Sequence, residues 1–182
     1  MGVRVMTPLR IGFVGTGGMG QMAHLRNYAF LQECQVTALA ELRRETAHAV
    51  AQRYGIPKVY ESAAQMLAAE PLDAIVASQP FTRHGVMLSE LLPAGIPVFI
   101  EKPLARSVAV GTEIVAALED HPSFVMLGYH KRSDPAVMYA KERIQQLTES
   151  GSLGRMTYVR LLMPAGDWVA NGFTELLNRD DP

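Results

Sequence analysis

A glycine-rich loop near the N-terminus has the spacing G-x-G-x-x-G, with its glycines at Gly15, Gly17 and Gly20. It directly follows an apolar run, Leu9 to Val14, and precedes a segment with helical apolar spacing. In such a strand–loop–helix the first glycine permits a tight turn, the second lets the backbone approach a pyrophosphate, and the third allows close packing of helix on strand. The free N–H groups and positive dipole end of the helix favour phosphate. The loop therefore predicts a dinucleotide site, with a plain strand–helix turn as the alternative.

A carboxylate, Glu41, ends the second predicted strand and follows Gly20 by 21 residues. An acid about 20 residues after the loop binds the adenosine ribose in dinucleotide-binding folds. Such a carboxylate accepts hydrogen bonds from both ribose hydroxyls and repels a 2′-phosphate, so Glu41 favours NAD over NADP. Arg43 and Arg44 favour the opposite, because either is able to hold a 2′-phosphate, although both also suit a solvated helix start. NAD is the expected cofactor, and NADP stays the alternative.

A third set of reactive side chains, Glu101-Lys102-Pro103, comes directly after the fifth predicted strand. Ligands of open parallel sheets bind beyond the carboxyl ends of the strands. A lysine at that edge is well placed to meet a substrate hydroxyl. From the residues alone, a salt-bridged surface pair is an equal alternative.

The elements that must position these groups alternate between strands and helices. Short apolar runs predict strands at Leu9–Val14, Gln35–Ala40, Lys58–Tyr60, Asp73–Ser78, Pro97–Ile100 and Phe124–Leu127. Helical spacing predicts helices over 18–31, around 47–54, from Ser62 to Leu67, over 82–92 and over 107–119. This order predicts an α/β fold, with a mainly parallel, doubly wound sheet covered on both faces.

After Tyr129 the repeated alternation of strands and helices gives way to one predicted helix and one predicted strand. Apolar residues from Val137 to Leu147 predict another helix, which ends near residues 150–154. The segment from Arg155 to Met163 predicts a further strand. A lone strand does not make a domain, because its backbone groups need partners.

Four segments carry a family resemblance. They are the glycine loop, Ala-Ser-Gln-Pro-Phe-Thr-Arg-His at 77–84, Ala-Gly-Ile-Pro-Val-Phe-Ile-Glu-Lys-Pro-Leu at 94–104, and Gly-Tyr-His-Lys-Arg-Ser-Asp-Pro at 128–135. In this order they resemble the glucose–fructose oxidoreductase, inositol dehydrogenase and rhizopine-catabolism (Gfo/Idh/MocA) family, over residues 9 to about 163. The resemblance implies an NAD(P)-dependent oxidoreductase that acts on a sugar, a polyol or a related hydroxyl compound.

The resemblance also implies a role for each matched position. It assigns the pyrophosphate to Gly15, Gly17, Gly18, Met19 and Gly20, and the rest of the cofactor to Glu41, Ser78, Gln79, Pro80, His84 and Glu101. Arg43 is added from the residues themselves, as a cation next to Glu41 at the adenosine end. Lys102 is implied as the catalytic group at the reacting hydroxyl or its proton relay. Tyr129, His130 and Arg132 are implied to border the nicotinamide and the substrate. Phe81 departs from the asparagine that the family often has there.

The family pattern also implies a domain organisation. A dinucleotide-binding Rossmann domain is expected over residues 1–130, and the incomplete start of an α+β substrate and oligomerisation domain over 131–182. The family's Asp-x-x-x-His arrangement has no match after Met163. We therefore expect the 182-residue chain alone to be a poor catalyst, with a dinucleotide-binding module without turnover as the alternative. The complete form is expected to be a homo-oligomer.

Composition excludes several other classes. The chain has 182 residues, a net charge of −1 and 48% apolar residues, which argues against disorder and against general attraction to nucleic acid or anionic membranes. Its single cysteine, Cys34, rules out an internal disulfide, and no Cys/His cluster has zinc spacing. We expect a cytoplasmic protein without a metal site or a membrane span. His24 and His48 are predicted to be surface or packing residues.

Overall fold

The computed structural model describes residues 7–119 and 121–162. The described residues divide into two compact units, 7–128 and 129–162. The first unit contains a six-stranded sheet with flanking helices, and the second contains one long helix with adjoining turns.

All strands of the sheet are parallel, and their order is β3-β2-β1-β4-β5-β6. The strands are β1 (Leu9–Val14), β2 (Cys34–Ala40), β3 (Lys58–Tyr60), β4 (Ala74–Ala77), β5 (Val98–Ile100) and β6 (Val125–Leu127). The predicted doubly wound sheet is confirmed. Its order reverses between β1 and β4, and the crevice at such a switch point is where dinucleotides bind in Rossmann folds.

The helices follow the strands in the predicted order. The first helix, α1, is π-helical over Gly20–Leu25 and α-helical over Arg26–Tyr28. The others are α2 (Arg44–Tyr54), α3 (Ala63–Ala69), α4 (His84–Leu91), α5 (Val108–Glu119) and α6 (Pro135–Ser150). Short 3₁₀ turns cover Phe81–Arg83, Leu92–Ala94 and His130–Ser133.

Helix ends are set by local chemistry. The Ser62 hydroxyl accepts a hydrogen bond from the Gln65 N–H at 3.2 Å, which caps α3. Helix α2 ends at Gly55, whose φ of 67° lies in the left-handed region that glycine adopts without strain.

Both faces of the sheet are buried. Adjacent residues of one strand point to opposite faces, so Phe13 and Val14 belong to different apolar clusters. One cluster includes Met66, Leu88, Leu91, Ile100 and Ile114, and the other includes Phe13, Leu25, Leu39, Val50 and Val76. Within α5, Ile114 is buried in the first of these clusters, whereas Ala117 is exposed.

Strand register brings the strand ends into one row. Pairing aligns Tyr60 with Ala40, Ala40 with Val14, Val14 with Ala77, and Ala77 with Ile100. The residues that directly follow these strand ends therefore also form a row, which consists of Glu61, Glu41, Gly15, Ser78 and Glu101. Because neighbouring strands lie about 4.8 Å apart, Glu41 and Glu101 are separated by three strand spacings, or about 14 Å.

The second unit is built from local contacts. Asp134 caps α6 by accepting a hydrogen bond from the Ala136 N–H at 3.0 Å, Pro135 occupies the first turn, and Gly151 ends the helix. No residue of α6 is buried.

The strand expected from Arg155 to Met163 is wrong over its described part, since residues 155–162 contain no strand. Tyr158 and Leu161 are 77% and 83% exposed, and the strand pairings found among the described residues do not include this segment. Met163 lies outside the described residues.

No helix within residues 7–119 and 121–162 is long and apolar enough to cross a membrane. No group of three or more His, Cys, Asp or Glu side chains among them is placed to hold a metal ion.

Candidate functional site

A cleft of about 490 Å³ opens at the carboxyl edge of the sheet, across the ends of β2, β1 and β4. It is lined by Val14, Gly15, Gly17, Ala40, Glu41, Leu42, Arg43, Glu61, Ser62, Ala63, Ser78, Gln79, Pro80, Arg83, Val86, Met87 and Glu90. The cleft thus spans the point where the strand order reverses, and it collects groups that are far apart in the sequence.

The three motif glycines meet three different requirements. Gly15 has a φ of 85°, and a Cβ there would lie 2.6 Å from the Ser78 carbonyl oxygen. A Cβ on Gly20 would lie 2.8 Å from the Gly15 carbonyl oxygen, so this glycine allows helix and loop to pack closely. A Cβ on Gly17 would meet nothing within 4 Å, although Gly17 lines the cleft. The chain therefore has no packing need for glycine at Gly17, and the open space there fits a closely approaching phosphate.

The Glu41 carboxylate is held in place by two residues. Its Oε2 accepts hydrogen bonds from the backbone N–H and the hydroxyl of Thr16, both at 2.8 Å. Its Oε1 accepts bonds from the backbone N–H and Nε of Arg43, at 3.1 and 3.2 Å. Burial disfavours the charged form, but the hydrogen bonds from Arg43 and Thr16 outweigh it and lower the pKa of Glu41. Glu41 is therefore an oriented anion at the end of β2.

The two arginines after Glu41 differ in place. Arg43 lines the cleft, and its guanidinium also reaches Glu41 Oε2 through Nη2 at 3.3 Å. Arg44 is the first residue of α2, is exposed, and is not among the residues that line the cleft. Both arginines were considered for a 2′-phosphate, and Arg43, the one expected at the adenosine end, is the one that contacts the candidate ribose acid. Thr16, which is fully buried and donates twice to Glu41, was missed because it occupies a variable position of the motif.

The end of β4 contributes Ser78, Gln79 and Pro80 to the cleft lining. His84 is placed differently, since its side chain is fully buried and does not line the cleft. Its Nδ1 lies 3.0 Å from the Pro103 carbonyl oxygen, and its Nε2 lies 3.2 Å from the Gln79 carbonyl oxygen. His84 therefore links the loops that follow β4 and β5.

The end of β5 presents Glu101 and Lys102. The Lys102 side chain is exposed, while only 13% of the Glu101 side chain is exposed. His24 Nε2 lies 2.6 Å from Glu101 Oε1. The surface or packing role predicted for His24 did not include this contact. The signal in the sequence was slight: a histidine four residues after the last motif glycine.

The remaining predicted site residues fall elsewhere in the chain. Gly18 is half-buried and Met19 is exposed, and both precede the π-helical part of α1. Tyr129, His130 and Arg132 belong to the second unit, where the Arg132 guanidinium lies over the Tyr129 ring at 5.7 Å from its centroid.

Comparison with known families gives a match over residues 9–129. The matching model is that of the GFO_IDH_MocA oxidoreductase family, described as having an NAD-binding Rossmann fold. The chain belongs to this family. The resemblance seen in the sequence is thereby confirmed, and the matched range includes the whole cleft described above.

Individual Gfo/Idh/MocA relatives agree with this assignment. An inositol 2-dehydrogenase of Rubrobacter xylanophilus is 33% identical over 148 residues, which are 80% of this chain and 41% of that protein. The crystal structure of myo-inositol 2-dehydrogenase from Lactobacillus plantarum matches with a TM-score of 0.72 and 27% identity, covering 84% of this chain and 44% of that one. Scyllo-inositol dehydrogenase from Lactobacillus casei, solved with NAD(H) and scyllo-inositol, matches with a TM-score of 0.69 and 26% identity, covering 83% and 44%. The chain spans about two-fifths of the length of the inositol dehydrogenases it matches.

Proposed function

We propose that this chain binds NAD(H) along the carboxyl edge of its sheet, and that the whole protein oxidises a polyol or related hydroxyl compound by hydride transfer. The observation that supports this most is the row of strand ends, where Glu41, Gly15, Ser78 and Glu101 follow four adjacent strands. The names of the inositol dehydrogenases it resembles support the substrate class.

The adenosine half of the cofactor is assigned to the β1–β2 side of the cleft. Glu41 would accept hydrogen bonds from the adenosine ribose, and Gly17 would let the loop backbone approach the pyrophosphate. The Thr16 bonds orient the carboxylate before the ligand arrives, which lowers the entropy cost of binding. The free N–H groups where the first helix begins add favourable electrostatics for the phosphates.

NAD is preferred over NADP in this proposal. A carboxylate accepts hydrogen bonds at about four lone-pair positions, and Thr16 and Arg43 already make five contacts with Glu41. The Arg43 side chain is 28% exposed, so its guanidinium is the contact that gives way most easily to a ribose hydroxyl. The Glu41 anion remains next to the 2′ position in either arrangement and repels a 2′-phosphate.

The nicotinamide half is assigned to the β4–β5 side. When bound, NAD supplies the hydride acceptor, and the protein must orient the substrate and take up its hydroxyl proton. Glu101 would contact the nicotinamide ribose region, and the exposed Lys102 would polarise the reacting hydroxyl or assist its deprotonation. Tyr129, His130 and Arg132 would border the substrate.

One experiment tests the activity. NAD reduction over a panel of inositols and sugars is measured for this chain, for its Lys102→Met variant, and for a complete inositol dehydrogenase as positive control. We expect NADH binding by this chain, but turnover far below that of the control, because the family's Asp-x-x-x-His arrangement has no match in it. If this chain turns over at a rate close to that of the control, and its Lys102→Met variant does so too, the roles assigned here are contradicted. If the chain turns over and the Lys102→Met variant does not, only the need for the Asp-x-x-x-His arrangement is contradicted.

The alternative is a dinucleotide-binding protein without turnover. The observation that favours it is that every residue lining the cleft belongs to the first unit, so cofactor binding does not require the second. The two proposals predict different activities for the protein encoded by the complete reading frame. If that protein binds NADH but oxidises no compound of the panel, the binding module is supported.

A further inference from the structure

A histidine of the first helix holds the carboxylate at the end of β5. His24 Nε2 lies 2.6 Å from Glu101 Oε1, with only 14% and 13% of the two side chains exposed. The other carboxylate oxygen, Oε2, accepts a hydrogen bond from the Lys102 backbone N–H at 3.1 Å. Each oxygen of Glu101 therefore has its own donor, one from a distant helix and one from its own loop.

The imidazole ring is itself fixed by its surroundings. It packs edge to face against Phe99 on β5, with ring centroids 5.2 Å apart and an interplanar angle of 64°. His24 lies in the π-helical part of α1. Short π-helical turns are rare in proteins, and those that do occur are often found at functional sites. The Tyr54 hydroxyl donates to the Gln21 carbonyl oxygen of the same turn at 3.2 Å. The ring is thus supported by packing and is able to hold Glu101 in one orientation.

We propose that His24 is a positioning residue that holds the Glu101 carboxylate for the nicotinamide-ribose half of the cofactor. This inference rests on the proposed function, which assigns that half to the end of β5. A glutamate side chain that is already ordered loses less conformational entropy when it binds. Because α1 begins at the glycine loop, His24 also ties the end of β5 to the helix beside the proposed pyrophosphate site.

Two ligands separate this role from a general effect on the fold. NADH occupies both halves of the proposed site, whereas ADP carries only the adenosine and diphosphate groups. We expect His24→Leu to weaken NADH binding about tenfold and to leave ADP affinity within about twofold. The His24→Gln variant should lose less NADH affinity, because the amide Nε2 of glutamine is also a hydrogen-bond donor. His48→Leu, the same substitution at an exposed histidine of α2, should change neither affinity.

A double-mutant cycle tests whether His24 acts through Glu101. If it does, His24→Leu has no further effect on NADH affinity once Glu101→Gln is present. Equal loss for NADH and ADP, equal loss for His24→Leu and His24→Gln, or additive losses in the Glu101→Gln background would each overturn the inference.

A wild-type measurement covers the case in which His24→Leu does not fold. In the NMR spectrum of the unmodified chain, saturating NADH should shift the His24 ring signals, and saturating ADP should leave them in place. Unchanged His24 signals with NADH would overturn the inference while the proposed cofactor site stands. Failure of the unmodified chain to bind either ligand would overturn the proposed function, and the inference with it.

Discussion

Helices α5 and α6 share the same type of apolar periodicity, yet they lie in different environments. Ile114 of α5 is 4% exposed and packs in the core of the first unit, whereas Ile144 of α6 is 43% exposed. Helix α6 has its own start and end signals in Asp134, Pro135 and Gly151, so it needs no sheet to define its bounds. Periodicity therefore predicts that a helix forms, while a sheet decides whether its apolar face is buried.

The same contrast separates the polar contacts of the two units. In the first unit, Glu41 is bound by Thr16, and His24 by Glu101, across 25 and 77 positions of the chain. In the described part of the second unit, side-chain hydrogen bonds such as that of Lys131 with Asp134 join residues at most four positions apart. Side chains are fixed as a site only where the fold brings distant segments together.

The largest expected effect compares the two isoleucines directly. Ile114→Ala should lower the free energy of unfolding by about 2–5 kcal/mol, because it leaves a cavity in a buried cluster. Ile144→Ala should change it by no more than about 0.5 kcal/mol. Urea unfolding of both variants, followed by circular dichroism, measures the difference. Equal destabilisation would show that α6 is buried as deeply as α5.

A second effect concerns Glu41, the proposed ribose acid, which Thr16 orients from a distant segment. Glu41→Ala should weaken NADH binding roughly ten- to hundredfold, since it removes a charge-assisted hydrogen bond of about 1.5–3 kcal/mol. Glu113→Ala, at an exposed position of α5, serves as control and should leave the affinity unchanged. Fluorescence titration provides the affinities, and thermal melting shows whether each variant is folded. If Glu41→Ala binds NADH as tightly as the unmodified chain, the assignment of Glu41 is wrong.

A smaller effect separates the two arginines. Arg43→Ala frees lone pairs of Glu41 for ribose hydroxyls and removes the cation best placed for a 2′-phosphate. The ratio of NAD to NADP affinity should rise about fivefold, equivalent to about 1 kcal/mol. Arg44→Ala should leave this ratio unchanged, because Arg44 does not line the cleft. Tighter binding of NADP than NAD by the unmodified chain would overturn the preference proposed for Glu41.

The smallest effect is electrostatic and compares one long-range pair with one local pair. Arg10 binds Asp73 at 2.9 Å, joins the starts of β1 and β4, and lowers the pKa of Asp73 to about 2. The pair should stabilise the fold at pH values above about 4, the usual aspartate pKa, and lose that contribution as pH falls toward 2.

Arg10→Ala tests this pair. It should return the Asp73 pKa, followed by carboxyl NMR, toward its usual value and leave the lowered pKa of Asp134 unchanged, because Asp134 is held by Lys131 and the Ala136 N–H. An Asp73 pKa that stays near 2 in Arg10→Ala would show that another group lowers it.

Much of the fold could be predicted because local signals carry it. β1 has the predicted bounds, since its buried apolar run stops at a glycine that must turn. Helix α2 ends at Tyr54 and α3 starts directly after Ser62, close to the predicted ranges, because Gly55 adopts a left-handed conformation and Ser62 caps its helix. The strand predicted after Arg155 is wrong because the prediction rested on the apolar pattern alone, whereas strand formation also depends on a partner strand.

The candidate site could be predicted only in part. Residue types at strand ends identified Gly17 and Glu41 for the cleft, because the parallel topology brings all carboxyl ends to one edge. The contacts of Thr16, Arg43 and His24 depend on side-chain directions and on strand register. Neither can be obtained from the spacing of residues along the chain.

The central claim is that the glycine loop holds a dinucleotide, and NADH titration of Gly17→Val tests it most directly. A side chain at Gly17 meets no protein atom within 4 Å at its Cβ, so the melting temperature should stay unchanged while NADH affinity falls at least about tenfold. Gly111→Ala, in α5 with only ordinary contacts at 3.8 and 3.9 Å, is the control and should bind NADH like the unmodified chain. Equal NADH affinity of Gly17→Val and the unmodified chain would contradict the account.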